Sequence, residues 1–280
     1  MTRMLPITEN LISRWLKTRD PFSHKGDYGR ASLVAGSVGM VGAAILSARA
    51  CMRSGVGLLT VHVPECGYSI IQQSVPEAKC IADEHYTHHT IIEIPLYTDV
   101  IGIGPGINQH IQTHWALHSL MLNYPKVPMV FDADALNILA YNQHWYPQIP
   151  KGSILTPHPG EMERLGLEPQ EMAEKYGVVV VLKGHHTHIY VPKDGEVLVY
   201  ENTLHGNAGM AVGGSGDVLT GIILALMAQH YTAEQAAVMG VWIHALSADL
   251  ALADGNSMES LLPSDIIAHL GAAFNASRLQ

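Results

Sequence analysis

An α/β fold with a largely parallel central sheet and helices on both faces is predicted by two patterns in the chain. Short apolar runs rich in Val, Ile and Leu alternate with longer stretches of helical periodicity. Strands without polar alternation are buried on both faces, as in parallel sheets. The second pattern is that five of these runs end in a Gly-rich or polar cluster, and the carboxyl ends of parallel strands are where such sheets collect their chemistry. The 280 residues include 48% hydrophobic and 15% charged side chains, enough to bury a sizeable core. No Pro/Gly/Ser-rich or charged run marks a linker, so residues 1–280 read as one domain.

The elements follow in order. Thr8 caps a short amphipathic helix carrying Leu11, Ile12, Trp15 and Leu16 on one face. Strands at 31–36 and 57–64 flank a helix at 42–54. Further strands are predicted at 99–104, 127–132, 153–156, 178–183 and 196–200. Helical spacing appears at 109–122, 135–141, 169–176, 218–229, 233–253 and 265–276. Thr232 and Gln235 have capping-box spacing. There is no internal repeat.

Several classes are excluded by composition. A formal charge of −9 argues against a general nucleic-acid binder or a membrane-surface protein, although local N–H groups and lysines can still bind a phosphate. Cys51, Cys66 and Cys80 form no disulfide framework and no Cys-x-x-Cys pair, which fits a reducing cytoplasm. Residues 1–30 have no signal-peptide pattern, and the apolar run 218–228 is too short to span a bilayer. Residues 102–106 do not complete Gly-x-Gly-x-x-Gly, and no Walker-type loop is present. His110, His114 and His118 fall four apart on a predicted helix, but no acidic or Cys partner completes a metal site. His85, His88 and His89 fall in a polar loop with no visible role.

The chemistry concentrates in Asn207 to Gly221, where Gly213-Gly214-Ser215-Gly216-Asp217 runs into an apolar helix. Glycines let the backbone approach a ligand, and a helix N-terminus presents free N–H groups to an anion. A carboxylate beside such an anion suits a base that takes a proton from an attacking hydroxyl. Asp also favours the helix-cap position, and that alternative stays open. Lys183, at the tip of strand 178–183, can pair with a phosphate while Gly184 lets the chain pass close by. The other possibility for Lys183 is a solvated ammonium on a buried stem. His158 stands in a loop stiffened by Pro157 and Pro159 and reads as a substrate contact.

His24-Lys25-Gly26-Asp27-Tyr28-Gly29, Ala35-Gly36-Ser37, Gly104-Pro105-Gly106, Asp132-Ala133-Asp134-Ala135-Leu136-Asn137, Leu155 to Glu161, Lys183-Gly184 and Gly213 to Asp217 occur in this order. The set resembles the ADP-dependent NAD(P)H-hydrate dehydratases, a carbohydrate-kinase-like family of the ribokinase-like superfamily. The resemblance runs from about Ile7 to Leu270. It implies a three-layer ribokinase-like fold. It also implies a reaction in which the (6S)-hydrate of NADH or NADPH loses water at the expense of ADP, giving AMP and phosphate. By resemblance Asp217 is the base, and Ala43, Gly104, His158 and Asp217 contact the hydrate. Lys183, Gly184, His185, His186, Thr187 and Gly216 contact the nucleotide, and the amides of Gly213, Gly214, Ser215 and Gly216 bind charge on the transferred phosphoryl group. Glu161 falls where related kinases place a carboxylate that orients Mg²⁺ through water. Members of this kind are often homotetramers. Some relatives carry a fused epimerase domain; here only a short segment precedes the first motif, so a separate epimerase chain is expected. Two other readings remain: a kinase of the same fold acting on a thiazole or pyrimidine alcohol, and a catalytically silent nucleotide-binding protein.

Overall fold

The computed structural model describes residues 4–278. A ten-stranded sheet runs through it in the order β1-β10-β9-β8-β7-β6-β5-β2-β3-β4. The strands are β1 (Met4–Pro6), β2 (Arg30–Val34), β3 (Leu58–Val63), β4 (Lys79–Ala82), β5 (Val100–Ile103), β6 (Met129–Phe131), β7 (Ile154–Leu155), β8 (Val179–Leu182), β9 (Thr187–Lys193) and β10 (Glu196–Asn202). Every neighbouring pair is parallel except β8–β9 and β9–β10. The helices are α1 (Glu9–Trp15), α2 (Val41–Arg53), α3 (Tyr68–Ser74), α4 (Ile111–Asn123), α5 (Ala133–Tyr141), α6 (Pro159–Leu165), α7 (Pro169–Tyr176), α8 (Ser215–Ala228), α9 (Ala233–Ala253) and α10 (Pro263–Ala276).

Each face of the sheet carries its own core. One cluster joins α1, α2, α8, α9 and α10 to the sheet through Leu33, Val61, Ile223 and Leu224. The other joins α4 to α7 through Ile101, Phe131, Leu136 and Val180. The burial of both faces is why the strands are apolar without alternation. Helix α8 is buried at 12 of its 14 residues, as a helix apolar all round must be. It lies so close to α2 that a Cβ on Gly221 would meet the Ser47 carbonyl oxygen at 2.2 Å. The Ser47 hydroxyl donates to the Asp217 carbonyl at 2.9 Å, so α2 fixes the first turn of α8. Helix α9 is long and apolar enough to cross a bilayer, with a mean hydropathy of 1.6, yet 72% of that stretch is buried inside the protein. It is a core helix.

The strands and helices anticipated are present, two helices (169–176 and 233–253) with the expected bounds and the others with ends moved by at most three residues. Thr8 accepts from the Leu11 amide and the Thr232–Gln235 box is formed, as expected. Three strands were not anticipated. β1 is three residues long, and β4 is a partly exposed edge of the sheet. β9 alternates, with Ile189 and Val191 buried between half-exposed residues. It turns into β10 through Asp194-Gly195, both at positive φ (50° and 82°). That pair makes the type I′ turn that Asp-Gly favours, so the sequence did carry the hairpin signal. α3 and α6 were also missed; α6 begins with Pro159 at its first position and His158 as its cap.

Candidate active site

The strand order turns back on itself at one place. From β2 the chain builds outward to β3 and β4, then returns to β5 on the other side of β2 and proceeds through β6, β7 and β8. A crevice opens beyond the strand ends at such a switch point. Gly36 and Gly104-Pro105-Gly106 border it, joined by a hydrogen bond from the Gly36 amide to the Pro105 carbonyl of 2.8 Å. Gly104 has φ of +133°, and a Cβ there would meet the Asp132 carbonyl oxygen at 1.8 Å. No other residue fits. A Cβ on Gly106 would stand 3.2 Å from that of Ala43, so the start of α2 packs against the 104–106 turn.

The ends of β6, β7 and β8 meet the N-terminus of α8 in a network of charges. Asp132 accepts from Lys183 Nζ at 2.7 Å and from Thr220 Oγ1 at 2.8 Å. Lys183 Nζ is also 3.8 Å from Glu161 Oε2. The lysine is therefore no solvated surface group. Burial alone pushes its ammonium down, but Asp132, Glu161 and Asp217 outweigh that and the pKa is raised. The Glu161 carboxyl is raised by burial, with Asp132 adding to it. Glu161 also accepts from the His158 amide at 2.8 Å, closing the capping box of α6.

Asp217 is the third residue of α8, and Gly214, at φ +97°, occupies the cap position. The capping alternative for Asp217 is thus ruled out. Among the described residues no hydrogen-bond donor engages its carboxylate. Its pKa is pushed up to about 7, first by burial and then by the charges of Asp132 and Asp134, against a lowering by Lys183. No side chain caps the first N–H groups of α8. A Cβ on Gly216 would lie 3.4 Å from Lys183 Nζ and 3.6 Å from Asp132 Oδ2, so this turn runs directly past the charged network. Gly213 faces open space.

A cavity of about 690 Å³ adjoins this turn, lined by His158, Lys183, Gly184, His185, Thr187 and Gly216 among others. That volume is in the range of small-molecule sites. Of the residues expected at the nucleotide and its phosphoryl group, His186, Gly213 and Gly214 are absent from the lining; the His186 ring sits 3.3 Å from Glu201 instead. His158 lines the cavity with its ring half exposed, while Nδ1 accepts from the Gly160 and Glu161 amides. It closes the 156–158 loop, as expected, and also caps α6.

Three participants escaped sequence reasoning. Asp132 was visible as part of a strand-end motif but had no role. Thr220 is a polar residue in an apolar helix, one turn after Asp217, and burial without a partner is the signal it offered. His244 of α9 places Nε2 3.3 Å from Ser215 Oγ and is held neutral by burial, with its pKa lowered to about 4. The histidine series at 110, 114 and 118 is used in packing and capping. His110 caps α4, His114 meets Asn142, and His118 stacks on Trp145 at 4.3 Å. His89 lies in the expected loop but is fully buried.

A doubly covered, mainly parallel sheet, with an uncapped helix N-terminus, a lysine and an elevated carboxyl beside its strand ends, defines a fold of the ribokinase-like class. Residues 31–270 match the family described as NAD(P)H-hydrate dehydratase, and the chain belongs to that family. It is 38% identical to the bifunctional NAD(P)H-hydrate repair enzyme Nnr of Vibrio cholerae over 97% of this chain and 55% of that protein. The chain thus spans about half the length of the first curated relatives it matches. It is 34% identical to the ADP-dependent (S)-NAD(P)H-hydrate dehydratase of Bacillus subtilis, covering 92% of this chain and 94% of the relative. A crystal structure of the ADP/ATP-dependent NAD(P)H-hydrate dehydratase from Bacillus subtilis, co-crystallised with ATP/Mg²⁺, superposes with a TM-score of 0.82 at 32% identity, covering 97% and 98% of the two chains.

Proposed function

We propose that this chain restores NADH or NADPH from the (S)-hydrate of the reduced nicotinamide, using ADP and releasing AMP and phosphate. The observation that carries the reading is Asp217: a carboxyl poised near neutrality, unengaged, in the first turn of an uncapped helix and beside Lys183. The hydrate carries a hydroxyl on C6 of the ring, and hydroxide is a poor leaving group. Asp217 takes the hydroxyl proton as the oxygen attacks the terminal phosphorus of ADP, and the bond from that phosphorus to the bridging oxygen breaks to release AMP. The ring nitrogen then pushes its electron pair toward C6, the C6–O bond breaks with departure of phosphate, and loss of a proton from C5 re-forms the double bond. The N–H groups of Gly213 to Gly216 and the Lys183 ammonium stabilise charge on the moving phosphoryl group. Gly184, His185 and Thr187 flank the nucleotide, and Ala43, Gly104 and His158 flank the hydrate.

The donor set suits a Mg²⁺ that arrives with the nucleotide. Among the described residues no group of three or more His, Cys, Asp or Glu side chains is placed to hold an ion alone. Yet Asp132, Glu161 and Asp217 set three carboxyl groups against one ammonium. Mg²⁺ keeps waters and needs few carboxylates when phosphates supply the rest, and Glu161 is the residue we assign to orient it through water. Such an ion neutralises charge on the phosphates. The proposal further includes a separate epimerase activity that supplies the (S) form, a cytoplasmic setting consistent with three free cysteines, and a homotetrameric assembly.

The test is direct. Purified protein with chemically hydrated NADH and ADP should yield NADH, AMP and phosphate in equal amounts. A stable phosphorylated alcohol formed more efficiently from another acceptor would show a kinase instead.

A further inference from the structure

At the far end of α8 from Asp217, a second cleft of about 680 Å³ opens between the 16–28 segment, the C-termini of α2 and α8, and α10. A helix of 14 residues separates the two sites by about 20 Å. Its lining holds four permanent cations, Lys17, Arg19, Arg53 and Arg278, against two carboxylates, Asp20 and Asp27. In a chain with 16 basic residues and a net charge of −9, this concentration is unusual. Both carboxylates are occupied locally: Asp20 accepts from the Phe22 amide, and Asp27 pairs with His24. None of the four cations lies within ion-pair distance of a carboxylate among the described residues.

Part of the charge has a structural use. Lys17 donates to the carbonyls of Gln229 and His230, and Arg19 donates to that of Gly55, both satisfying helix ends that carry negative dipole charge. That account does not extend to the other two. Arg53 is exposed and donates no side-chain hydrogen bond among the described residues, and Arg278 reaches only the Phe274 carbonyl at 3.4 Å. Aromatic surfaces stand beside them. Phe22 is 94% exposed, Phe274 lines the same wall, and the Arg19 guanidinium already stacks 3.7 Å above the Tyr28 ring. Guanidinium forks match phosphate oxygens, while exposed rings and guanidinium planes accept a flat base.

We infer that this cleft is a second ligand site, apart from the reaction centre, for an anion that joins a phosphate to a planar aromatic base, of the nucleoside monophosphate type. The cations hold the phosphate, with Arg53 and Arg278 as its principal partners, and Phe22 covers the base. The inference is independent of the proposed dehydration, since it uses none of the residues assigned to it.

Hydrogen–deuterium exchange of the full chain with and without AMP tests it. AMP should slow exchange in 16–28 and 271–278, whatever it does near Lys183. The Arg53→Glu/Arg278→Glu double variant should need about tenfold more AMP for the same protection there, because two charge-assisted contacts are lost. Phe22→Ser, at an exposed position, should weaken it as well and serves if the double variant does not fold. Inorganic phosphate at the same concentration should protect these segments less than AMP. Unchanged exchange in both segments of the parent protein, or undiminished protection in the variants, overturns the site. Equal protection by phosphate overturns the assignment of a ring-bearing ligand.

Discussion

The two sides of the switch-point crevice are built on opposite principles. On one side, Asp132, Glu161, Lys183 and Asp217 crowd charges together: burial and then Asp132 raise Glu161 and Asp217, and all three carboxylates raise Lys183. On the other side the loop that follows β2 rests on neutral groups. His89 Nε2 meets the Gly36 carbonyl at 3.0 Å, and His89 Nδ1 meets His62 Nδ1 at 3.2 Å. Burial holds both rings uncharged, with pKa values lowered to about 3 and about 4. The buried carboxylate there, Asp83, feels burial pushing it up, but hydrogen bonds from Thr90, His85 and Ile91 win and hold it below its usual range. It is a fixed anion that shapes the 84–91 loop. Charge that can change is kept where a proton must move, and charge that cannot change is kept where a wall must hold its shape.

Substitutions on the two sides should therefore fail differently. Asp217→Asn keeps the size and removes the base, so turnover should fall about 10²–10⁴-fold with the fold intact, measured as NADH recovered per unit time. Near-parental turnover would remove Asp217 from the reaction. Lys183→Ala leaves Asp132 without its ammonium and the nucleotide without its cation. ADP affinity by calorimetry should weaken about 10–100-fold, and more at low salt, where the attraction is unscreened. Gly184→Val should weaken ADP equally at all salt concentrations, because its effect is steric. On the neutral side, His89→Ala withdraws the bond to Gly36. It should raise KM for the hydrate by about tenfold, leaving KM for ADP within about twofold, on the scale of one lost buried hydrogen bond.

The smallest effect concerns stability. The folded Asp217 pKa, about 7, lies above its ordinary 3.8. Asp217 thus contributes stability that is complete below pH 3.8 and lost as pH rises to about 7. Asp217→Asn should therefore raise Tm at pH 8 by about 3–6 °C and by little at pH 4. An equal Tm change at both pH values would mean that Asp217 is not held protonated by its surroundings.

The charged side was largely legible in the sequence because it follows strand ends, and strand ends are marked by abrupt changes from Val and Ile to Gly, Asp and Lys. Asp217, Lys183, Glu161 and Gly216 all stand at such changes. The neutral side was not legible. His89 lies 27 residues after His62, and nothing local says that two rings so far apart will share a buried hydrogen bond. Thr220 and His244 were hidden for a related reason: each sits inside a long apolar helix, where one polar residue reads as a packing exception. β9 was obscured differently, since its His and Tyr residues masked an alternation that the Asp194-Gly195 turn announced.

The central claim is that Asp217 is a base poised by burial first and by its carboxylate neighbours second. The pH dependence of kcat/KM for the hydrate, measured for the parent and for Asp132→Asn, tests it most directly. Activity should rise with pH through an apparent pKa near 7 in the parent, because the deprotonated form is the base. In Asp132→Asn one raising charge is gone, and the same limb should move to lower pH even where the maximal rate is reduced. An acid limb that stays in place in Asp132→Asn, or a parent profile flat between pH 5 and 8, would contradict the account.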